Sequence, residues 1–468
     1  MAEREFDAIV LGGGPGGYVC AIRLGQLGKK VACVEEEEYG GVCLNWGCVP
    51  SKALISNAHL FTKARQAENQ GLRIAGVDVD PDKMQDWKNG IVKKLTGGVR
   101  QLLKANGVEI VEGRGRLTAK DRVEVEGPGG RQTLKAKDAV VIATGSATIQ
   151  IPGFEFDGER IIGAREAVSL RRIPKRLVVI GGGVIGMELG MVYQSFGSQL
   201  TVIELTPNLL PGADRDAVGV VERKLKKLGA QVYKQAKAES VAKRADGVAV
   251  TFSTEGKQQV VEADMVLVAV GMKPRSRGIG LEELGVQIDE RGFVRTDDVC
   301  RTNVAGIYAI GDVSGAPMLA HKASKEGEVC AEVIAGKKAG KDWVTVPNII
   351  FTDPEIASVG LTEDQAKEQG IDFKSGRFPF SVLGRAMSLN ETEGFVKVIA
   401  ERGSGRVVGI HIVGPSASDL ISEAALAMEM FATAEDIALT IHPHPTLGEA
   451  MMEASAAALG HAIHIMNR

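Results

Sequence analysis

The feature that most constrains this chain is a repeat. FDAIVLGGGPGG near the start is a short apolar, β-branched run ending in clustered glycines. YVCAIRLGQLGKK follows with helical periodicity, and VACVE reads as a second buried strand. The same order returns in RLVVIGGGVIGMELGMVYQSFGSQLTVIE. Gly12, Gly14, Gly17 and Glu35 each have a counterpart 169 residues later, in Gly181, Gly183, Gly186 and Glu204. Glycines at G-x-G-x-x-G spacing let the backbone approach a pyrophosphate at the positive end of the helix, and the acid accepts bonds from ribose hydroxyls. One such run is weak evidence. Two complete units with the same internal spacing predict two dinucleotide sites, with electrons passing between them. At the second site Glu204 favours a free 2′-hydroxyl and repels a 2′-phosphate, and no Arg follows directly in ELTPNLLPG. NAD(H) is therefore expected there over NADP(H).

At 468 residues the chain is too long for one ordinary domain and predicts about three or four. VVIATGS (140–146) closes the first repeat as a strand and turn, and MVLVAVGMKP (265–274) closes the second. GIYAIGDVSG (306–315) is a further buried strand, ending at Gly311–Asp312, and a helical stretch follows it. From about Val346 the character changes. FVKVIAE and RVVGIHIVG read as antiparallel strands, and SDLISEAALAMEMFA and TLGEAMMEASAAALG as helices. The expected fold class is α/β, with two Rossmann-like dinucleotide-binding domains and a C-terminal α+β domain. The boundaries fall at 1–149, 150–276, a central segment 277–346, and 347–468.

A net charge of −3 with both signs mixed argues against a nucleic-acid or membrane-surface role. No run of 18 apolar residues predicts a membrane-spanning helix. MAEREFDAIVL enters a strand almost at once, so no leader is expected. Six cysteines are too few for a secreted disulfide framework. A cytoplasmic setting is the expectation, or the mitochondrial matrix for a processed eukaryotic chain.

Two of those cysteines, Cys43 and Cys48, lie five positions apart in GGVCLNWGCVPSKAL. A zinc site needs four ligands, or three and an open position, and only His59 is near. A structural staple closing so short a loop would contribute only roughly 2 kcal/mol. A redox pair fits better. Residues five apart in a regular helix are too distant to bridge, so the helix must break, and Gly47 supplies the freedom. A new helix is expected to start near Pro50, with Cys48 just before it and Lys52 a turn later, both arrangements that stabilise a thiolate. Cys20, Cys33, Cys300 and Cys330 fall in expected helices or strands and read as buried small hydrophobes.

Among seven histidines, His442 and His444 stand in IHPHPTLGE. Pro445 reads as the first residue of a helix, which places His444 at its N-cap, where the helix dipole favours the neutral, basic ring. Glu449 follows within the first turns and can orient the imidazole. His442 reads as structural.

CLNWGCVPSKAL behind a GGGPGG fingerprint resembles the active-site segment of the flavoprotein disulfide reductases, the class I pyridine nucleotide-disulfide oxidoreductases. The likeness runs through ATGS, GGGVIGMELG, GIYAIGDV, FTDPEIASVGLTE, GRAMSLNETEGFVKVI and HPHPTLGEA in family order, and is strongest to the lipoamide-linked members. The resemblance implies FAD held by Gly12, Gly14, Gly17, Glu35, Thr144, Gly145, Gly311 and Asp312, with Asp312 near the ribityl chain. It implies Lys52 near the flavin N5 and paired with Glu188. It implies NAD held by Gly181, Gly183, Gly186, Glu204 and Gly271, and no metal. Cys43 becomes the interchange thiol facing substrate and Cys48 the thiol in charge-transfer contact with the flavin. His444 becomes the acid–base, partnered by Glu449 and acting from the other subunit of a homodimer built by the C-terminal domain. The implied reaction oxidises protein-bound dihydrolipoamide and reduces NAD+. The implied partners are the lipoyl domains and peripheral subunit-binding domain of 2-oxoacid dehydrogenase complexes.

Other members of the family are the rivals. Glutathione and trypanothione reductases use NADP(H) through basic residues that this second fingerprint lacks. A mycothione-reductase-like enzyme and a mainly structural docking subunit are further alternatives. Mercuric reductases carry an extra C-terminal cysteine pair, absent from GHAIHIMNR. Trp46, Met272, Leu383 and Gly448 depart from the family pattern.

Overall fold

The computed structural model describes residues 3–467 and divides into two units, each interleaved along the chain. The first contains Met1–Ile151, Gly163–Arg172 and Val270–Asp342. Its centre is a sheet in the order Glu109–Glu112, Val31–Glu35, Arg4–Leu11, Gly130–Ile142, Arg122–Gly127, Arg114–Ala119. Gly130–Ile142 is shared. Its first half pairs antiparallel with Arg122–Gly127, and its last residues pair parallel with Arg4–Leu11 and with Ile307–Ala309. The strand from the central segment thus completes the first sheet. Ile9, Val10 and Leu11 are all buried, as a parallel strand covered on both faces requires. Ile9, Leu11, Val34, Val140, Ile142 and Ile307 pack together in one core. Helices Pro15–Gln26 and Ala320–Ile334 pack closely, because Gly16 and Gly327 leave no Cβ between them.

The second unit contains Pro152–Ile162, Ile173–Ala269 and the chain from Trp343 onward. A parallel sheet runs Gln231–Tyr233, Gln199–Ile203, Arg176–Ile180, Met265–Val268, Ile161–Ile162. It carries an antiparallel three-stranded sheet of Ala236–Arg244, Gly247–Thr254 and Lys257–Ala263. The C-terminal residues form an antiparallel sheet in the order Asn348–Ile350, Glu355–Gly360, Val407–Gly414, Phe395–Glu401, Phe373–Pro379. Helices Ala417–Glu429 and Glu449–Leu459 cover it, over a core that includes Phe378, Val398, Ile412, Ile421 and Met451. The second helix seats tightly because a Cβ at Gly376 would collide with its backbone at Ala454 and Ala458.

One buried cation sits within this unit. Lys397 Nζ lies 3.0 Å from Asp214 Oδ2 and 2.7 Å from Asp216 Oδ2, with side-chain exposures of 4% for both Lys397 and Asp214. Asp214 is also the N-cap of helix Arg215–Lys227, accepting the Asp216 and Ala217 N–H groups. Among the described residues no helix is long and apolar enough to cross a membrane.

Candidate active site

The two fingerprints are built alike, atom for atom. In the first, Glu35 accepts the Gly13 N–H at 2.6 Å on one oxygen and the Glu37 N–H at 2.8 Å on the other. In the second, Glu204 accepts the Gly182 N–H at 2.5 Å and the Thr206 N–H at 2.6 Å in the same way. Burial pushes the Glu35 carboxyl up, against the hydrogen bonds from Glu37 and Gly13. Gly12 and Gly181 have φ of 109° and 103°, so the turns suit glycine. A Cβ at Gly17 or Gly186 would collide with the carbonyl of Gly12 or Gly181. Gly14 and Gly183 are the N-caps of helices Pro15–Gln26 and Val184–Ser195, and neither helix has a side-chain cap. Around Gly183 nothing lies within 4 Å of a built Cβ, and around Gly14 only Gly41 Cα, at 3.8 Å. Uncapped N–H groups opening onto free space fit a diphosphate at each position.

The cysteine segment docks on the first fingerprint. Gly41, with φ of 58°, places its Cα so close to Gly14 that a Cβ there would come within 2.7 Å of the Gly14 Cα. Cys43 lies in a short helix, Gly41–Asn45, and Cys48 opens the next, Cys48–Gln66. The break falls at Trp46 and Gly47, as the spacing requires. The second helix does not wait for Pro50, however. It begins at Cys48 with Gly47 as N-cap, because Pro suits any position whose N–H needs no partner in the first turn. Both cysteines are thiols, Cys43 half-buried and Cys48 exposed in the single chain. The Cys43 thiol is pushed up first by its hydrogen bond with the Cys48 thiol and then by burial, with Lys52 pulling the other way. Tyr18, which the sequence did not single out, is pushed up by burial and by its nearness to Cys43.

Asp312 accepts the Ser146 hydroxyl at 2.6 Å. Burial pushes its carboxyl up, against Ser146 and Lys322. Gly311 is held by Glu326, which accepts its N–H at 2.7 Å and pairs with buried Lys322 at 3.0 Å. Lys322 and Glu326 show no motif; an i,i+4 pair on a helix reads as surface charge until its burial is seen. Thr144 donates its hydroxyl to the Arg275 carbonyl at 2.7 Å. Gly145, Gly271 and Gly311 all adopt positive φ in turns after strands. Glu188 is buried on helix Val184–Ser195 and accepts the Phe351 N–H at 2.8 Å.

The histidine motif needs a correction. Helix Glu449–Leu459 begins at Glu449 with Gly448 as N-cap, so His444 is not an N-cap and lies in the preceding turn. The 445–448 stretch turns instead of winding a helix, and Thr446 supplies the turn by donating its hydroxyl to the Pro443 carbonyl at 2.7 Å. The pairing itself is present. His444 Nδ1 lies 2.9 Å from Glu449 Oε1, and Glu449 Oε2 accepts the Thr446 N–H at 2.9 Å. Burial pushes the Glu449 carboxyl up, but the bonds from Thr446 and His444 outweigh it and hold it below the usual range. The His444 side chain is 78% exposed, available to a substrate. His442 has both ring nitrogens occupied, by the Thr440 carbonyl and by Glu423 Oε1 at 2.7 Å, as a structural residue should.

Cys20, Cys33 and Cys330 are buried in helices or a strand, whereas Cys300 sits in a turn with φ of 65°. Burial pushes the Cys300 thiol up to about 12, as suits the buried small hydrophobe expected there, although no strand holds it. Among the described residues no group of three or more His, Cys, Asp or Glu side chains could hold a metal ion.

Twin dinucleotide folds with a dithiol docked on the first are the hallmark of one enzyme class, and the chain belongs to it. Residues 6–327 match the pyridine nucleotide-disulphide oxidoreductase family, and residues 346–455 match the dimerisation domain of that family. The chain is 50% identical to the dihydrolipoyl dehydrogenase of Bacillus subtilis over 463 residues, covering 99% of this chain and 98% of the relative. It is 48% identical to that of Geobacillus stearothermophilus and 47% identical to that of Halobacterium salinarum, with the same coverage of each chain. Among solved structures, LpdA from Mycobacterium tuberculosis superposes with a TM-score of 0.89 at 29% identity, covering 97% of this chain and 99% of that one. The HOCl-induced flavoprotein disulfide reductase RclA from Escherichia coli superposes with a TM-score of 0.85 at 25% identity, covering 96% and 99%.

Proposed function

We propose that the chain oxidises protein-bound dihydrolipoamide to lipoamide and reduces NAD+, working through a Cys43–Cys48 dithiol–disulfide. The observation that carries this reading is the segment bearing Cys43 and Cys48, broken between two helices and seated through Gly41 on Gly14 of the first fingerprint. The near-full-length likeness to dihydrolipoyl dehydrogenases supports the choice of substrate.

Residues 1–149 and 277–346 form the FAD side, which 163–172 and 270–276 join, the rest of 150–276 forms the NAD side, and 347–468 the dimerisation domain. FAD is held by Gly12, Gly14, Gly17, Glu35, Lys52, Thr144, Gly145, Gly311 and Asp312, and NAD by Gly181, Gly183, Gly186, Glu204 and Gly271. Bound there, FAD would supply a two-electron acceptor for the dithiol and NAD a hydride acceptor. His444 Nε2 takes a proton from the dihydrolipoyl dithiol, while Glu449 on Nδ1 stabilises the resulting imidazolium. The substrate thiolate attacks Cys43 of the disulfide, and the second substrate sulfur resolves the mixed disulfide, leaving Cys43 and Cys48 reduced.

His444 acts from a second copy of the chain. Leu426, Met430, Phe431, Leu439 and Ile441 in the dimerisation domain stay exposed in the single chain, which supports such a partner. The dimer docks on the peripheral subunit-binding domain of a 2-oxoacid dehydrogenase complex, receives its lipoyl domains, and works in the cytoplasm. Dihydrolipoamide added anaerobically to the oxidised flavoprotein, followed by NAD+, should yield one NADH per dithiol. No NADH, or full lipoamide turnover by Cys43→Ser, refutes the reading.

A further inference from the structure

Trp46 stands between the two cysteines, where thiol chemistry has no use for an indole. Its backbone N–H donates to the Val42 carbonyl at 3.0 Å, ending the first cysteine helix. Over its half-buried ring lies the Arg165 guanidinium, with Cζ 3.9 Å from the centroid. Arg165 is far off in sequence, on the short helix Ala164–Ala167. Its Nη1 is held from the other side by Glu37 Oε2 at 2.9 Å. The helix is itself anchored. Buried Lys88 donates to the Val168 carbonyl at 2.9 Å, and Gln85 to the Leu170 carbonyl at 3.0 Å, both from helix Pro81–Ala105. A line of contacts therefore runs from the turn that follows Glu35, through Glu37 and Arg165, to the ring between the thiols.

We propose that Arg165 is a positioning residue: braced by Glu37, it clamps Trp46 and so keeps Cys43 and Cys48 juxtaposed in the dithiol state. The proposal rests on the redox reading above. In the disulfide, the S–S bond itself fixes the four residues between the cysteines. In the dithiol only non-covalent contacts do so, and the backbone at Gly47 leaves the helical region between two helices. Losing the clamp loosens the dithiol more than the disulfide. The effective concentration of one thiol at the other falls, and the disulfide becomes easier to reduce. A cation–π contact of this exposure supports a change of about fivefold in that equilibrium, about 20 mV for a two-electron couple.

The test equilibrates the flavoprotein with mixtures of dithiothreitol and its cyclic disulfide. The Cys43–Cys48 bond breaks to two thiols as dithiothreitol gives up two electrons and two protons and closes its ring. Acid quenching, alkylation and mass spectrometry then count the two thiols without reference to activity. Arg165→Leu should move the equilibrium about fivefold toward the dithiol, and Arg165→Lys should recover most of the shift. Trp46→Leu should move it alike, Trp46→Phe less, and the Arg165→Leu/Trp46→Leu pair no further than either single change. A role confined to folding would lower stability without moving this equilibrium. A shift under about twofold in Arg165→Leu, or a double variant showing the product of the two single shifts, overturns the proposal. Dihydrolipoamide turnover by the unaltered protein, run in parallel, separates the readings: no NADH with a shifted equilibrium removes the substrate assignment and leaves the clamp.

Discussion

Glu449→Gln tests the His444–Glu449 pair at the level of single oxygens. Oε1 faces His444 Nδ1 at 2.9 Å, and Oε2 accepts the Thr446 N–H at 2.9 Å. A carboxylate serves both because each oxygen accepts; glutamine has the same shape but one acceptor and one donor. With its oxygen on Thr446, the amide NH2 faces Nδ1, and the neutral ring must carry its proton on Nε2, where it cannot act as a base. With its oxygen on Nδ1–H, the amide NH2 and the Thr446 N–H face each other. Leaving such a donor unpaired costs about 1–3 kcal/mol. Either way the imidazolium loses a charge-assisted partner, a further difference of roughly 1 kcal/mol. The sum, about 2–4 kcal/mol, corresponds to roughly 30- to 1,000-fold in rate. The assay is stopped-flow reduction of the oxidised protein by dihydrolipoamide at neutral pH. NADH-to-dye electron transfer serves as control and should be unchanged. A loss of less than about threefold in the thiol half-reaction would refute the argument that both oxygens are needed.

Lys397→Met leaves Asp214 buried without its cation and should cost about 3–5 kcal/mol in urea unfolding; a loss under about 1 kcal/mol would show the pair to be dispensable. Burial pulls the Lys397 ammonium down, but Asp216 and Asp214 more than restore it, so its folded pKa lies above the unfolded one. Its contribution is complete below about pH 10.4 and is lost as pH rises through the folded value. The Lys397 hydrogen bond holds Asp216 down, so that group stabilises above about pH 4 and stops doing so as pH falls through its folded value. Burial, then Arg171, pushes the Lys88 amine down to about 8. Between that value and about pH 10.4 the unfolded chain binds more protons, so this group makes unfolding harder as pH rises, a slope that Lys88→Met should remove from alkaline unfolding curves. Gly41→Ala forces a Cβ toward Gly14 at a position with φ of 58° and should weaken flavin retention at least about tenfold on dilution; unchanged retention would deny that the cysteine segment seats on the fingerprint.

What could be read from the residues was whatever is local or periodic. The duplicated strand–glycine–helix–strand–acid unit is local, and its counterparts reproduce each other down to the Glu35 and Glu204 hydrogen bonds. The break between Cys43 and Cys48 follows from helix geometry, and the His444–Glu449 pair from a spacing of five. The starts of helices were less legible. Pro50 and Pro445 both look like first residues, yet one helix starts before its proline and the other four residues after it. Proline tolerates several positions around a helix start, and packing chooses among them. Contacts across long stretches of chain were invisible. Nothing near Trp46 names Arg165, and Lys397 looks like an ordinary charge on an alternating strand until the helix cap at Asp214 folds over it. Cys300 lost its expected strand to a turn because the strand there starts only at Ile307.

The doubly bonded acids have a thermodynamic meaning. Glu35 and Glu204 each spend one lone pair per oxygen on backbone N–H groups of their own loops. A carboxylate offers about four acceptor positions, so two remain, one on each oxygen, enough for the two hydroxyls of a ribose. Each side chain is already fixed by the fold itself. A glutamate that had to be frozen on binding would give up roughly 1.5–2 kcal/mol of rotamer entropy, and here folding has removed that loss twice over. The glycine loops thereby do more than leave open space: they convert a flexible acid into a fixed acceptor at both fingerprints.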